Sequence, residues 1–520
     1  MKASPSIRTL LALALAACSS PRQAPPDDDA PAAEAAADIA PDLIEADAAP
    51  DVAPDRLLDA APDVTPDAAP DAAPDVAPDA APDVALDAGD AASDAPRDAV
   101  DVADAADAAE AGCTGPGQQV CGTRCVDTLS DAANCGACGM RCAGGGSPIC
   151  QAGRCHLPVT SLFLGARHTC AGPMGGPAWC WGDNANGQVG DETTAPRSRP
   201  TLIAGVTWQS QVAAGGSSSC ALVDTPSLFT PRCWGANDAG QLGDGTMMER
   251  RLPTATMLPR GSFIRLGWSH GCLKRDSDLA VVCWGANTFG QLGNSTRTAS
   301  LAAVPVMGAE SAPLNLTVGS FHSCLSQTTG AAWCWGHNGF GQLGDGTNAD
   351  RAVATRVLRI ADVNRIAAGG ASVAAAGGEN AAHTCAALGD DTVQCWGSNG
   401  FGQLGDGTTT SSNIAVPARV TFAISDVAAG GWHTCAIARA DGRVFCWGRN
   451  DAGQLGDGTT TQRNTPVEVV GLRGVTAIAA GLRHTCAMFG GRVRCWGDNA
   501  VGQLGDGSTT PRSTPVDPLF

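Results

Sequence analysis

Seven copies of one segment run through this chain, clearest at residues 446–460, CWGRNDAGQLGDGTT. The cysteines of the CWG triplets stand at 180, 233, 283, 334, 395, 446 and 495, in steps of 53, 50, 51, 61, 51 and 49 residues. A period near 50 that fills about 360 residues specifies a repeat architecture. In the last copy, residues 475–481 (VTAIAAG), 484–488 (HTCAM), 492–497 (RVRCWG) and 514–516 (TPV) are short β-like pieces separated by glycine turns. Four such pieces are the content of one propeller blade. The expected fold is therefore all-β, a seven-bladed β-propeller over residues 157–520. Whether the 514–516 strand completes blade seven or clasps blade one is left open by the sequence.

Within each copy two cysteines flank a turn. Cys486 and Cys495 lie symmetrically about Gly490-Gly491, and Gly-Gly suits a two-residue hairpin because both positions take positive φ. Directly opposed strand residues have Cα atoms about 4.5–5.5 Å apart, within disulfide reach. The expected pairs are Cys170–Cys180, Cys220–Cys233, Cys272–Cys283, Cys324–Cys334, Cys385–Cys395, Cys435–Cys446 and Cys486–Cys495. Each would close a loop worth up to roughly 3 kcal/mol. The alternative is that they are reduced, small buried hydrophobes. Twenty-three cysteines in one chain favour an oxidising compartment.

The N-terminal part supports that compartment. Residues 1–18 carry Lys2 and Arg8, an apolar run over 10–17 and then Cys18. The run is too short to span a bilayer, and it resembles a secretory signal peptide. Its end, LAAC, resembles the lipobox of bacterial lipoproteins. That resemblance implies lipidation of Cys18, cleavage before it and stable membrane anchoring. Ser19 in place of aspartate points, within that family, to the outer membrane. Residues 21–112 hold 25 acidic residues, 3 basic residues and 14 prolines; such a segment cannot bury a core. The 19–112 segment reads as a disordered Ala/Pro/Asp tether, spanning about 58 Å as a flexible coil and up to roughly 285 Å as extended polyproline. From 113 onward, 27 acids meet 28 bases. The folded part is thus near neutral and has no basic stripe for nucleic acid.

Residues 113–156 form a separate module. Its eight cysteines, at 113, 121, 125, 135, 138, 142, 150 and 155, read as a disulfide staple of undetermined connectivity. One CxxC alone does not make a zinc site. The run CGTRCVDTLSDAANCGACGMRC resembles the stigma-specific cysteine-rich modules.

The seven copies themselves are similar to the regulator of chromosome condensation repeat, which implies a seven-bladed propeller. The β-lactamase-inhibitor propeller of bacteria is of similar build, secreted and protein-binding. The family founder's guanine nucleotide exchange activity depends on a wedge and loop residues with no match here. Histidines recur two residues before the first cysteine of each pair, at 168, 270, 322, 383, 433 and 484, with Ser218 in the second copy. Their spread around a ring rules out one shared metal, and a turn-fixing role is expected. One aspartate per loop is too few for calcium, and no nucleophile elbow, phosphate loop or HExxH motif occurs. The departures GQVGDE and GQLGNST predict looser blade edges. No metal, cofactor or enzymatic activity is expected. The long 61-residue step places an insertion after Gly370, and insertions in repeats often map to a binding face. Ser372, Glu379, Asn380 and nearby Trp432 are the candidate binding residues. The expected function is that of a monomeric, lipid-anchored, extracytoplasmic propeller at a bacterial cell envelope. It would bind a protein or glycan there, or alternatively inhibit or assemble one envelope enzyme.

Overall fold

The computed structural model describes residues 113, 115–122, 124–142, 148–206, 209–225, 228–309, 313–371 and 381–520. Cys18, the acidic tether, Ser372, Glu379 and Asn380 lie outside them. Seven four-stranded antiparallel sheets follow one another, each made from one contiguous stretch of chain. Blade one consists of Ser161–Leu164, His168–Gly172, Trp179–Gly182 and Arg197–Leu202. Blade seven consists of Ala477–Ala480, His484–Phe489, Arg492–Gly497 and Arg512–Val516. The last strand pairs with Arg492–Gly497, so blade seven is complete and no strand is shared across the seam.

The sequence dictates this stacking. The second strand of blade six, HTCAIA, is buried at every position, because its sheet is covered on both sides by neighbouring blades. The seven CWG tryptophans are fully buried. Trp181 packs with Cys486, Val493 and Leu504 of blade seven, so the tryptophans fill the wedges between blades. Near the axis, bulk is excluded. A Cβ added to Gly165 would lie 2.3 Å from the Gly215 carbonyl oxygen, and one on Gly215 would lie 2.5 Å from that of Gly267. The relation continues through Gly319, Gly369 and Gly430 to Gly481, whose Cβ would lie 2.7 Å from the Gly165 carbonyl. Seven glycines thus close a ring.

The up-and-down strand order gives the ring two faces. Face one carries the turns between first and second strands and the glycine-rich loops between third and fourth. The two meet in every blade, as where Asp183 N–H donates to Arg167 O at 2.9 Å and Arg449 N–H to Trp432 O at 2.9 Å. Face two carries the second-to-third hairpins and the connections between blades.

The cysteine-rich module forms two small ladders, Gln118–Cys121 with Arg124–Asp127 and Ile149–Gln151 with Arg154–His156. Its disulfides join Cys113–Cys125, Cys121–Cys138, Cys135–Cys150 and Cys142–Cys155. The sulfurs of Cys135, Cys142 and Cys155 lie within 4.8 Å of one another because two of these disulfides pack side by side. The module docks on face two, at the hairpin of blade seven. The Gln151 side-chain amide donates to Val493 O and accepts from Val493 N–H, an edge pairing made by one side chain. Val159 N–H donates to Gly491 O at 2.8 Å. His156 stacks on Phe520 at 4.6 Å, and Phe520 also meets Trp179 and Trp181 of blade one. The module and the C-terminus therefore cover the seam together.

Candidate binding face

The loops of face one are held by their own side chains. In blade six, Asn450 Oδ1 accepts from Leu455 N–H at 2.9 Å, while its Nδ2 donates to Asp457, to Thr459 O and to Thr461 O. Asp457 also accepts from Thr459 N–H and Oγ1–H and from Arg463 Nε–H. Burial opposes its ionisation, but the hydrogen bonds from Thr459 and Arg463 win and hold the carboxyl below its usual range. A carboxylate so engaged is structural. The two divergent loops keep the bonds to the threonine, although the third blade has Ser300 in place of the arginine. Asp191 still binds Thr193 and Arg197, and Asn294 takes the aspartate's place towards Thr296. Glu192 and Ser295 adopt φ of 71° and 64°, in the left-handed region where the other copies use glycine.

The histidines bridge blades and do not fix their own turns. His168 Nε2 lies 2.9 Å from Ser219 Oγ of the next blade, and His433 Nε2 lies 2.8 Å from Thr485 Oγ1. His484 crosses the seam to Thr169 at 3.0 Å. Each such hydroxyl donates onward to a loop glutamine carbonyl, as Thr485 does to Gln454 O at 3.0 Å. The same oxygen accepts the tryptophan indole N–H, Trp496 Nε1 at 2.9 Å. A hydroxyl has one proton, so it accepts from the histidine, whose Nε2 must carry the hydrogen. Burial pushes His168 and His433 down to about 4. It pushes His270, His322, His383 and His484 down to about 3. Between blades two and three both partners are missing: Ser218 replaces the histidine and Gly271 the hydroxyl residue. A Cβ on Gly271 would lie 2.6 Å from the Trp284 ring, so the aromatic ring occupies that space.

The seven blade cysteine pairs are disulfides with Cα–Cα distances of 4.0–4.2 Å, the close type of opposed pair. They are buried and rigidify the scaffold. Trp432, read from the sequence as a binding residue, is instead a core residue, 2% exposed. It packs with Ala371, Ala381 and Leu482, and the Arg449 guanidinium covers its ring at 4.8 Å. Ala371 N–H donates to Ala381 O at 2.9 Å, which closes the base of the insertion on face one.

The residue that the sequence reading missed is Trp268. It is partly exposed and borders three cavities on face one. One is the axial mouth, about 80 Å³. A second, about 420 Å³, lies towards Asp238 and Glu249. The third, about 460 Å³, lies towards Arg167, Asp183, Arg483 and Asp498. The two larger clefts fall within the usual size of ligand sites, about 300–1,000 Å³. An amphipathic tryptophan between an acidic and a mixed-charge cleft suits protein recognition. The signal was present as GWSHG at 267–271: the third copy alone has a tryptophan two residues before its histidine.

Fold and face together define a disulfide-stapled propeller built from tandem β repeats. Family models described as "Regulator of chromosome condensation (RCC1) repeat" match residues 176–222, 390–437 and 441–488, and, in a second form, 315–342, 372–403, 424–454 and 475–503. The chain is 30% identical over 338 residues to the Ultraviolet-B receptor UVR8 of Arabidopsis thaliana, covering 64% of this chain and 74% of the receptor. It is 29% identical over 268 residues to the human probable E3 ubiquitin-protein ligase HERC4, covering half of this chain but only 19% of the ligase. Human WBSCR16 shares the fold with a TM-score of 0.59 at 21% identity, over 66% of this chain and 94% of that one. Yeast RCC1 (Prp20), solved with Kap60 bound, shares it with a TM-score of 0.57 at 18% identity, over 70% of this chain and 86% of that one. The chain belongs to the RCC1 repeat family.

Proposed function

We propose that this protein is a non-enzymatic binding module whose working surface is face one. The observation that carries the reading is the convergence of three cavities on Trp268, on the face opposite the docked cysteine-rich module. Yeast Prp20 was studied for its binding to Gsp1p and histones, and a protein-binding role for this chain is in keeping with that. The rest of the reading follows from the sequence. Cys18 carries the lipid anchor, the 19–112 segment is a flexible acidic stalk, and the module at 113–156 belongs with the stigma-specific type. The protein stands as a monomer at the surface of a bacterial envelope, where its partner is a protein, with a glycan as the alternative ligand.

The test is affinity capture from solubilised envelope and culture medium, with the oxidised protein, its Trp268→Ala variant and a variant lacking 371–380. We expect one specific protein that Trp268→Ala fails to retain. Equal capture by wild type and Trp268→Ala would overturn the assignment of face one.

A further inference from the structure

The seven inner strands carry only three charged side chains among the described residues: Arg265, Arg365 and Asp426. Arg365 Nε lies 3.8 Å from Asp426, and its Nη1 donates to Asn315 Oδ1 at 3.2 Å. That leaves one positive charge without a carboxylate, on Arg265. Its guanidinium sits 3.9 Å from the ring centroid of Phe263 and 5.0 Å from that of Phe163. Phe163 belongs to blade one and Arg265 to blade three, so the side chain crosses the axial space past blade two. Its Nη1 donates to Ile264 O at 2.9 Å.

A guanidinium has five N–H donors in one plane, and among the described residues only Ile264 O accepts from this one. Burial lowers its pKa to about 10, which still leaves it charged at neutral pH. The side chain is partly buried, and a charge drawn from water without a counter-ion is costly. The aromatic rings cover the faces of the guanidinium and leave its edge, the part that grips a carboxylate through two parallel bonds. Leu164 and Leu266, which follow Phe163 and Arg265 in their strands, line the axial cavity of about 80 Å³. Arg265, Phe163 and Phe263 are not among the residues that line that cavity; the first two each stand one position before a residue that does.

We propose that the axial passage binds one carboxylate on the edge of Arg265, between Phe163 and Phe263. The carboxylate comes either from a free small acid or from the end of a peptide chain. This site is independent of the partner proposed for the open clefts of face one.

The experiment uses the full chain in chloride-free buffer at constant ionic strength, following the unfolding temperature and the heat of binding. The probes are acetate and a short N-acetylated peptide, the latter with either a free or an amidated C-terminus. We expect saturable binding of acetate, weakened at least about tenfold in Arg265→Gln and less in Arg265→Lys, which keeps the charge but loses the fork. Binding of the free but not the amidated peptide would identify a chain terminus as the source; binding of acetate alone would identify a free acid. The absence of saturable binding by either carboxylate probe, or equal binding by Arg265→Gln, overturns the proposal. Should Arg265→Gln fail to fold, wild-type crystals soaked in bromide decide: an anomalous peak at the Arg265 edge supports the site, and none there rejects it.

Discussion

The two faces of the ring are built on opposite plans. On face one the turn before the histidine position is three residues long in every blade except the fifth, and each such turn bonds to its neighbouring loop. On face two the second-to-third hairpins vary, from two residues between Phe489 and Arg492 to six between Gly172 and Trp179. The cysteine-rich module grips the blade-seven hairpin, which shares the shortest length with the one between Thr225 and Leu228. A backbone held constant while side chains change is how a scaffold presents recognition residues. Arg167, Ser217, Trp268 and Arg483 sit at or next to one repeated place in the turn, and the fold is indifferent to which of them is there. Face two instead varies its backbone, and blade seven alone offers the module its docking edge.

The sharpest way to break this contrast is at glycine. Gly165→Ala, on face one, forces a Cβ to 2.2 Å from the His168 ring and 2.3 Å from a carbonyl. We expect a loss of about 3 kcal/mol or more in chemical denaturation. Gly471→Ala, on face two, has open space around it and only its positive φ of 69° to offend. A cost near 1 kcal/mol is expected there. Equal costs would mean that the axial ring is not the rigid element.

Acid tests the histidine bridges beneath face one. Their folded pKa values, about 3 to 4, lie below the ordinary value near 6.5. The unfolded chain therefore binds more protons than the folded one between these limits. Stability is full above about pH 6.5 and falls as pH drops towards 3, by up to about 1.4 kcal/mol per pH unit for each histidine. Near pH 5, unfolding should take up close to six protons from these residues, measurable from the pH dependence of the unfolding midpoint. Uptake of one or none would show that the histidines are not held neutral. The most local change is Gln151→Ala on face two. It should cost about 1–3 kcal/mol of module docking and speed hydrogen exchange at the Val493 amide, while leaving face one unaltered.

Much of the scaffold was legible because its rules are local. The repeat period, the four strands of each blade and the cross-strand cysteine pairs each lie within one hairpin or one copy. What was not legible depends on distant partners. His433 meets Thr485, a residue of the next blade, and no spacing within one copy points to it. In the module, Cys150 and Cys155 face one another across a ladder yet bond to Cys135 and Cys142, so the hairpin logic that suits the blades fails there. Ownership of the last strand turned on register with Arg492–Gly497. Trp432 drew attention by lying near an insertion, whereas Arg449 and the flanking alanines bury it. Trp268 packs against the same cluster but stays partly exposed.

The most direct measurement is an amide hydrogen-exchange footprint of the full protein with its captured partner bound. We expect slowed exchange at the face-one turns around Ser217, Trp268 and Arg483, with the hairpins of face two unchanged. Slowing confined to the hairpins at 276–280 and 439–443 would contradict the assignment of face one as the working surface.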